Sequence, residues 1–316
     1  MNGKRNRCQP FLALVLSFGS AINLWSQNQL PRQGDATTPH AKKFSQKQLI
    51  QPPPPPPFQG ITHTSWTRRD GAPGDITSLA QTKDGYLWVG SSLGLYRFDG
   101  LRFALYPFES KNSTLPSLNV CSLAADLEGG LWVAMCNATI IHLKADGKAV
   151  LFGKKEGVTG STIEKIYSLP DGSVWTSCSA RLQRLEGDRW VDFGKSHGIG
   201  PDGVFSILFD REGNIWVGRD KRLSVLRKGT SQLQDVPNPA HYVSSMVQSR
   251  NGEIWISDAW RSVHPLSDSS PAGVLHLQGK AEMLVDTDDN LWIAQDDEGL
   301  SRIQHISDSK DRWVIE

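Results

Sequence analysis

The chain has 316 residues, 38% of them hydrophobic, with 34 basic and 33 acidic side chains, an ordinary globular balance with room for one large domain or two small ones. Seven basic residues and one acid fall in residues 1–60, which leaves 27 basic and 32 acidic residues, a net charge of −5, in the remainder. A mildly acidic body excludes the broad basic face that supplies most of the affinity for nucleic acid.

Residues 1–26 have the three parts of a secretory signal peptide: Lys4, Arg5 and Arg7, then the apolar run 11–25, then small residues that allow cleavage after Ala21 or near Ser26. The apolar run is short and interrupted for a membrane helix, which needs about 20 residues, and an uncleaved signal-anchor is the alternative. No other stretch is apolar enough to cross a bilayer, so the expected location is periplasmic or secreted. Residues 27–60 are polar and end in six prolines, 52–57, and read as a disordered linker with a polyproline II rod at its end. Loss of the signal leaves three cysteines, Cys121, Cys136 and Cys178. Buried thiols are the favoured reading, with a Cys121–Cys136 bridge between neighbouring strands as the alternative.

From residue 61 onward the sequence repeats. Tryptophans stand at 88, 132, 175, 216, 255 and 292, spaced 44, 43, 41, 39 and 37 residues apart. Three residues before each stands Gly85, Gly129, Gly172, Gly213 or Gly252, with Asp289 in the sixth copy. An aliphatic residue precedes each tryptophan, and the residue two after it is always small. Asp-Gly and its relatives reverse the chain because glycine adopts positive φ without a Cβ penalty. Runs such as ITSLAQ (76–81), VFSILF (204–209) and AEMLVD (281–286) supply a strand ahead of the turn, and the Trp segment supplies one behind it. Third strands follow at 94–100, 181–187 and 299–305, and fourth strands at 102–106, 189–193, 273–277 and 312–316. Four antiparallel strands at this period, with no helical periodicity, predict an all-β chain of six β-propeller blades over 61–316. Each repeated tryptophan is expected to wedge between blades. The small residue two after it is expected to leave room for a neighbouring ring.

DGYLWVGSSLGLYRFDG (84–100) and REGNIWVGRDKRLSVL (211–226) resemble the two-component regulator propeller repeat, and the resemblance extends over about 61–316. It implies the extracytoplasmic sensor region of bacterial hybrid or one-piece sensor histidine kinases. Such proteins typically carry two seven-bladed propellers, a β-sandwich, a membrane helix and cytoplasmic kinase domains, and many are thought to detect carbohydrate breakdown products. The chain is therefore expected to be an N-terminal sensor portion, its partners an oligosaccharide and either a second copy or the missing kinase domains. SWTRRDG (65–71) resembles a fourth strand, which favours an open arc of a truncated seven-bladed ring; a closed six-bladed ring is the alternative.

No catalytic motif, P-loop or metal-ligand spacing is found, so no enzyme activity, metal or cofactor is expected. The acidic run 286–290 aligns with the ordinary turn and reads as one. A secreted propeller enzyme acting on polysaccharide and a protein–protein scaffold are the competing readings. Ligand contacts are expected where second and third strands join, opposite the Asp-Gly turns. Those loops hold Asn137, Arg181, Arg219, Lys221, Arg222, Trp260, Arg261 and Asp296, and Trp260 beside Arg261 would suit a sugar bearing a carboxylate or sulfate.

Overall fold

A computed structural model describes residues 64–108, 118–178, 181–199, 204–219, 222–237, 242–258, 262–267, 275–276, 281–295 and 299–308. The expected signal peptide, the Pro-rich linker and the fourth strand at 312–316 lie outside them. The described residues form a six-bladed β-propeller whose blades are antiparallel meanders, each strand pairing with the next in sequence. Blade 1 comprises Ile76–Gln81, Leu87–Ser91, Gly94–Phe98 and Phe103–Leu105. Blade 2 comprises Val120–Ala125, Leu131–Met135, Thr139–Leu143 and Ala149–Phe152. Blade 3 comprises Ile163–Ser168, Val174–Cys178, Arg181–Glu186 and Arg189–Asp192. Blade 4 comprises Val204–Phe209, Ile215–Arg219, Arg222–Leu226 and Gln234–Val236. Blade 5 comprises Val243–Gln248, Ile254–Asp258, Ser262–Pro265 and Leu275–His276. Blade 6 shows Ala281–Val285, Leu291–Gln295 and Gly299–Ile303.

Each hairpin turn is closed by the same backbone bond, such as Gly85 N–H to the Thr82 carbonyl and Gly213 N–H to the Asp210 carbonyl, both within 3.0 Å. Asp289 makes the equivalent bond to the Asp286 carbonyl and takes φ of 65°, doing without glycine in the sixth copy. All six repeated tryptophans are buried. Trp88 packs into the apolar cluster of blade 2, Trp132 into that of blade 3, Trp175 into blade 4, Trp216 into blade 5 and Trp255 into blade 6. The tryptophan column is thus the wedge between successive blades, as its repetition predicts. One sheet of short strands cannot cover both its faces, and the ring of blades is how each face finds a partner.

Three expectations are corrected. At Gly90 and Gly218 the small residue two after the tryptophan makes room for the first strand of the next blade, not for a ring. A Cβ on Gly90 would lie 2.6 Å from Val120, and one on Gly218 would lie 2.8 Å from the Val243 carbonyl oxygen. SWTRRDG forms no strand: Arg68–Asp70 is a single 3-10 turn capped by Thr67, and the Trp66 ring meets Phe98 of blade 1 edge-on at 5.0 Å. The favoured open arc loses that support, and the six-bladed arrangement is the one observed. Cys121 and Cys136 form a disulfide, while Cys178 is a buried thiol in the core shared by blades 2 and 3. The bridge was hard to read because Cys121 occupies a β-bulge: Val120 and Ser122 pair with Met135 and Ala134, and the residue between them is extruded.

Candidate functional site

The second strand of every blade runs from its hairpin turn to the opposite face of the ring, so the two faces have different chemistry. On the hairpin face, basic residues are used to stitch blades together. Lys83 Nζ donates to the Leu127 carbonyl. Arg211 reaches Gln248 Oε1 through its backbone N–H (2.9 Å) and Nε (3.2 Å), and also the Ser249 carbonyl. Arg250 N–H donates to Asp289 Oδ1 at 2.7 Å and its guanidinium to the Thr287 carbonyl at 2.6 Å. These three basic side chains are thereby engaged with the turns of the next blade. The acidic run there acts as an expected turn: Asp286 accepts from Asn290 N–H (2.8 Å), Asn290 Nδ2 (2.9 Å) and Trp292 Nε1 (2.8 Å). Burial works to raise the Asp286 carboxyl, and these hydrogen bonds outweigh it, holding the group below the usual carboxylate range.

The opposite face carries the residues expected from sequence, and the structure divides them. Arg219 is 6% exposed. Its Nη2 donates to Ser224 Oγ at 2.6 Å and to Asp235 Oδ1 at 2.9 Å, while Ser224 Oγ donates to the same carboxylate oxygen at 2.7 Å. Arg219 therefore fastens the second strand of blade 4 to the fourth and is not a free ligand contact. The Ser224 hydroxyl, joined by Arg219 and Arg222, holds Asp235 below the ordinary carboxylate range. Arg181 is half-exposed and pairs with Asp192 at 3.0 Å. Asn137 is half-buried in the turn between the second and third strands of blade 2, on the same face. Lys221, Trp260, Arg261 and Asp296 lie outside the described residues.

Two aromatic residues missed by the sequence reading stand on this face. Phe205 and Tyr242 pack with ring centroids 4.1 Å apart, and Phe205 remains 37% exposed. Phe205 sits in the first-strand bulge of blade 4, between Val204 and Ser206. The matching residues in blades 1, 2, 3 and 5 are Thr77, Cys121, Glu164 and Ser244, so an aromatic ring in that column was the available signal. Tyr242, just ahead of the first strand of blade 5, has φ of 63°, a left-handed conformation that bulky residues rarely adopt. Register carries Val204 to Arg219 and Arg219 to Arg222 across blade 4. The exposed ring, the half-exposed Arg222 guanidinium and the Asp235 carboxylate 3.5 Å from it thus occupy one end of one blade. Such a combination offers a flat apolar surface beside charged hydrogen-bonding groups. Among the described residues, no three His, Cys, Asp or Glu side chains are grouped to hold a metal ion, and no helix is long and apolar enough to cross a membrane.

Residues 70–92 match the family model described as "Two component regulator propeller", at the first repeat. No curated protein matches the sequence. Among solved structures, the extracellular domain assigned to the hybrid two component system BT3049 of B. thetaiotaomicron superposes with a TM-score of 0.61 at 17% identity, over 73% of this chain and 34% of that one. The extracellular domain assigned to BT4673 of the same organism gives 0.51 at 15% identity, over 72% and 38%. Virginiamycin B lyase from Staphylococcus aureus gives 0.58 at 12% identity, over 76% and 83%. At these identities the likeness shows the propeller fold, and the chain spans about a third of the length of the BT3049 domain.

Proposed function

We propose that this propeller, which carries the two-component regulator repeat, is the extracytoplasmic ligand-sensing module of a two-component signalling protein, binding an oligosaccharide without turning it over. The observation that carries this reading is the repeat match at 70–92, found on a fold shared with extracellular domains of two-component systems. The Cys121–Cys136 bond supports an extracytoplasmic location, because such bonds form and persist in oxidising compartments. Phe205, Tyr242 and Arg222 are the groups proposed to meet the ligand, the rings stacking on a sugar and the guanidinium pairing with an acidic substituent.

The test is a calorimetric titration of the full chain with neutral and uronate-containing oligosaccharides, with mass spectrometry of the recovered ligand. Binding that weakens in Phe205→Ala and Arg222→Ala, with the ligand recovered intact, supports the proposal. Absence of binding to every oligosaccharide refutes the ligand class, and shortened or eliminated products refute the non-enzymatic role in favour of a propeller enzyme such as the lyase noted above.

A further inference from the structure

The first strands line the axis of the ring, and one register column on them has a distinctive composition. The residue paired with the small position two after each tryptophan is Ser78, Ser122, Lys165, Ser206, Ser245 and Glu282 in blades 1 to 6. Each of the four serines bonds to the following blade. Ser78 Oγ accepts from Leu123 N–H at 2.9 Å, Ser122 Oγ from Ile166 N–H at 3.2 Å and Ser245 Oγ from Met283 N–H at 3.1 Å. Ser206 Oγ donates to the Val243 carbonyl at 2.6 Å. A short hydroxyl can serve in this way only where two first strands run close together, and they do so between blades 1, 2 and 3 and again between 4, 5 and 6.

Blades 3 and 6 break the column with opposite charges. Lys165 Nζ lies 2.9 Å from both carboxylate oxygens of Glu282. In a six-membered ring these two blades stand opposite each other, so the pair crosses the bore and is made between residues 117 apart in sequence. Among the described residues, neither side chain reaches the following blade. At the boundary of blades 3 and 4 the serine's place is taken by a longer arm. Tyr167 occupies the position filled by Ala80 and Ala124 in the preceding blades. Its ring packs against the core of blade 4 and meets Phe209 edge-on at 5.8 Å. The bulky ring spaces the two first strands where the serine contacts draw the others together.

We propose that the ring is built as two three-blade halves, blades 1–3 and blades 4–6, clasped across the bore by Lys165 and Glu282, and that breaking this clasp loosens the two boundaries between the halves while each half stays intact. Within a half, hydroxyl bonds and closely packed first strands resist separation. Between halves the outer core around Trp175, Val204 and Ile215 still joins blades 3 and 4, but near the axis one solvent-accessible ion pair and one aromatic spacer stand where the serine bonds would be. The clasp is screened by salt, whereas the serine bonds, uncharged and buried or part-buried, are not.

Hydrogen-exchange mass spectrometry on the full chain tests this. Replacing Lys165 by Glu puts like charges across the bore. It is expected to raise exchange about two- to fivefold, the scale of an exposed ion pair, in the first strands of blades 3, 4, 6 and 1. Exchange in blades 2 and 5, the middle of each half, should stay unchanged. The reversed pair Lys165→Glu with Glu282→Lys should restore the wild-type pattern, and raising ionic strength on the wild-type protein should reproduce the single variant's pattern. A rise spread equally over all six blades, no rise at all, or failure of the reversed pair to restore protection would overturn the proposal.

Discussion

Trp255 gives the sharpest test of the blade-wedge role. It has no solvent exposure and packs among Val263, Met283, Leu291, Ile293, Ile303 and Ile306, so its side chain joins blade 5 to blade 6. A buried tryptophan removes about 150–250 Å² from water, which at roughly 25 cal/mol per Å² sets an upper bound of about 4–6 kcal/mol. Truncations of this size in cores cost about 3–5 kcal/mol, so Trp255→Ala should lose about that much out of a typical total of about 5–15 kcal/mol. Trp66 is the internal control: it is 39% exposed and makes an edge contact with Phe98, so Trp66→Ala should cost under about 1.5 kcal/mol. Urea unfolding followed by circular dichroism measures both. A Trp255→Ala loss below about 1.5 kcal/mol, or equal losses for the two variants, would show that the column does not hold the blades together.

Gly218→Ala places a Cβ 2.4 Å from Ser206 Oγ and 2.8 Å from the Val243 carbonyl oxygen, and should cost about 1–3 kcal/mol by pushing blades 4 and 5 apart; a neutral result in thermal unfolding would contradict that close approach. Arg219→Ala should cost about 1.5–3 kcal/mol, the worth of hydrogen bonds to a charged group, while Arg181→Ala, breaking a half-exposed pair, should stay within about 1 kcal/mol; reversed magnitudes would return Arg219 to the ligand-contact set. Cys136→Ser should cost about 3 kcal/mol for a loop of this length, and reductant should destabilise the wild type but not the variant. Asp286 has a folded-state pKa below its unfolded value, so its contribution is fully present above about pH 4, the unfolded value, and is lost as pH falls through the folded one. Asp286→Asn should therefore shrink the stability gap between pH 6 and pH 3, and an unchanged gap would remove the carboxylate from the account.

How far the sequence carries can be traced residue by residue. Trp88 and its five counterparts, the polar turn ahead of each (with glycine in five of the six) and the flanking aliphatics are all local, within ten residues of one another. Backbone conformation and alternation are short-range properties, so strands such as Ile76–Gln81 and Val204–Phe209 coincide with the expected ones. The site was less legible. Arg219 is an accessible loop arginine by position and a buried fastener in fact, because its partner Asp235 comes from a strand two hairpins away. Phe205 and Tyr242, 37 residues apart, meet only because blades 4 and 5 are neighbours.

Repetition in the amino-acid sequence alone determined the blade and the number of copies seen, which depend on contacts inside one period, and it pointed to the wedge role of tryptophan because a large apolar residue repeated in every sheet must be covered by the neighbouring one. Tertiary structure decided what depends on how the periods are arranged: the Cys121–Cys136 bond around an unforeseen bulge, the division between a stitched face and an accessible one, and the Lys165–Glu282 pair across the bore. Those contacts join groups whose distance is set by ring geometry, and no local pattern encodes how the ring brings its blades together.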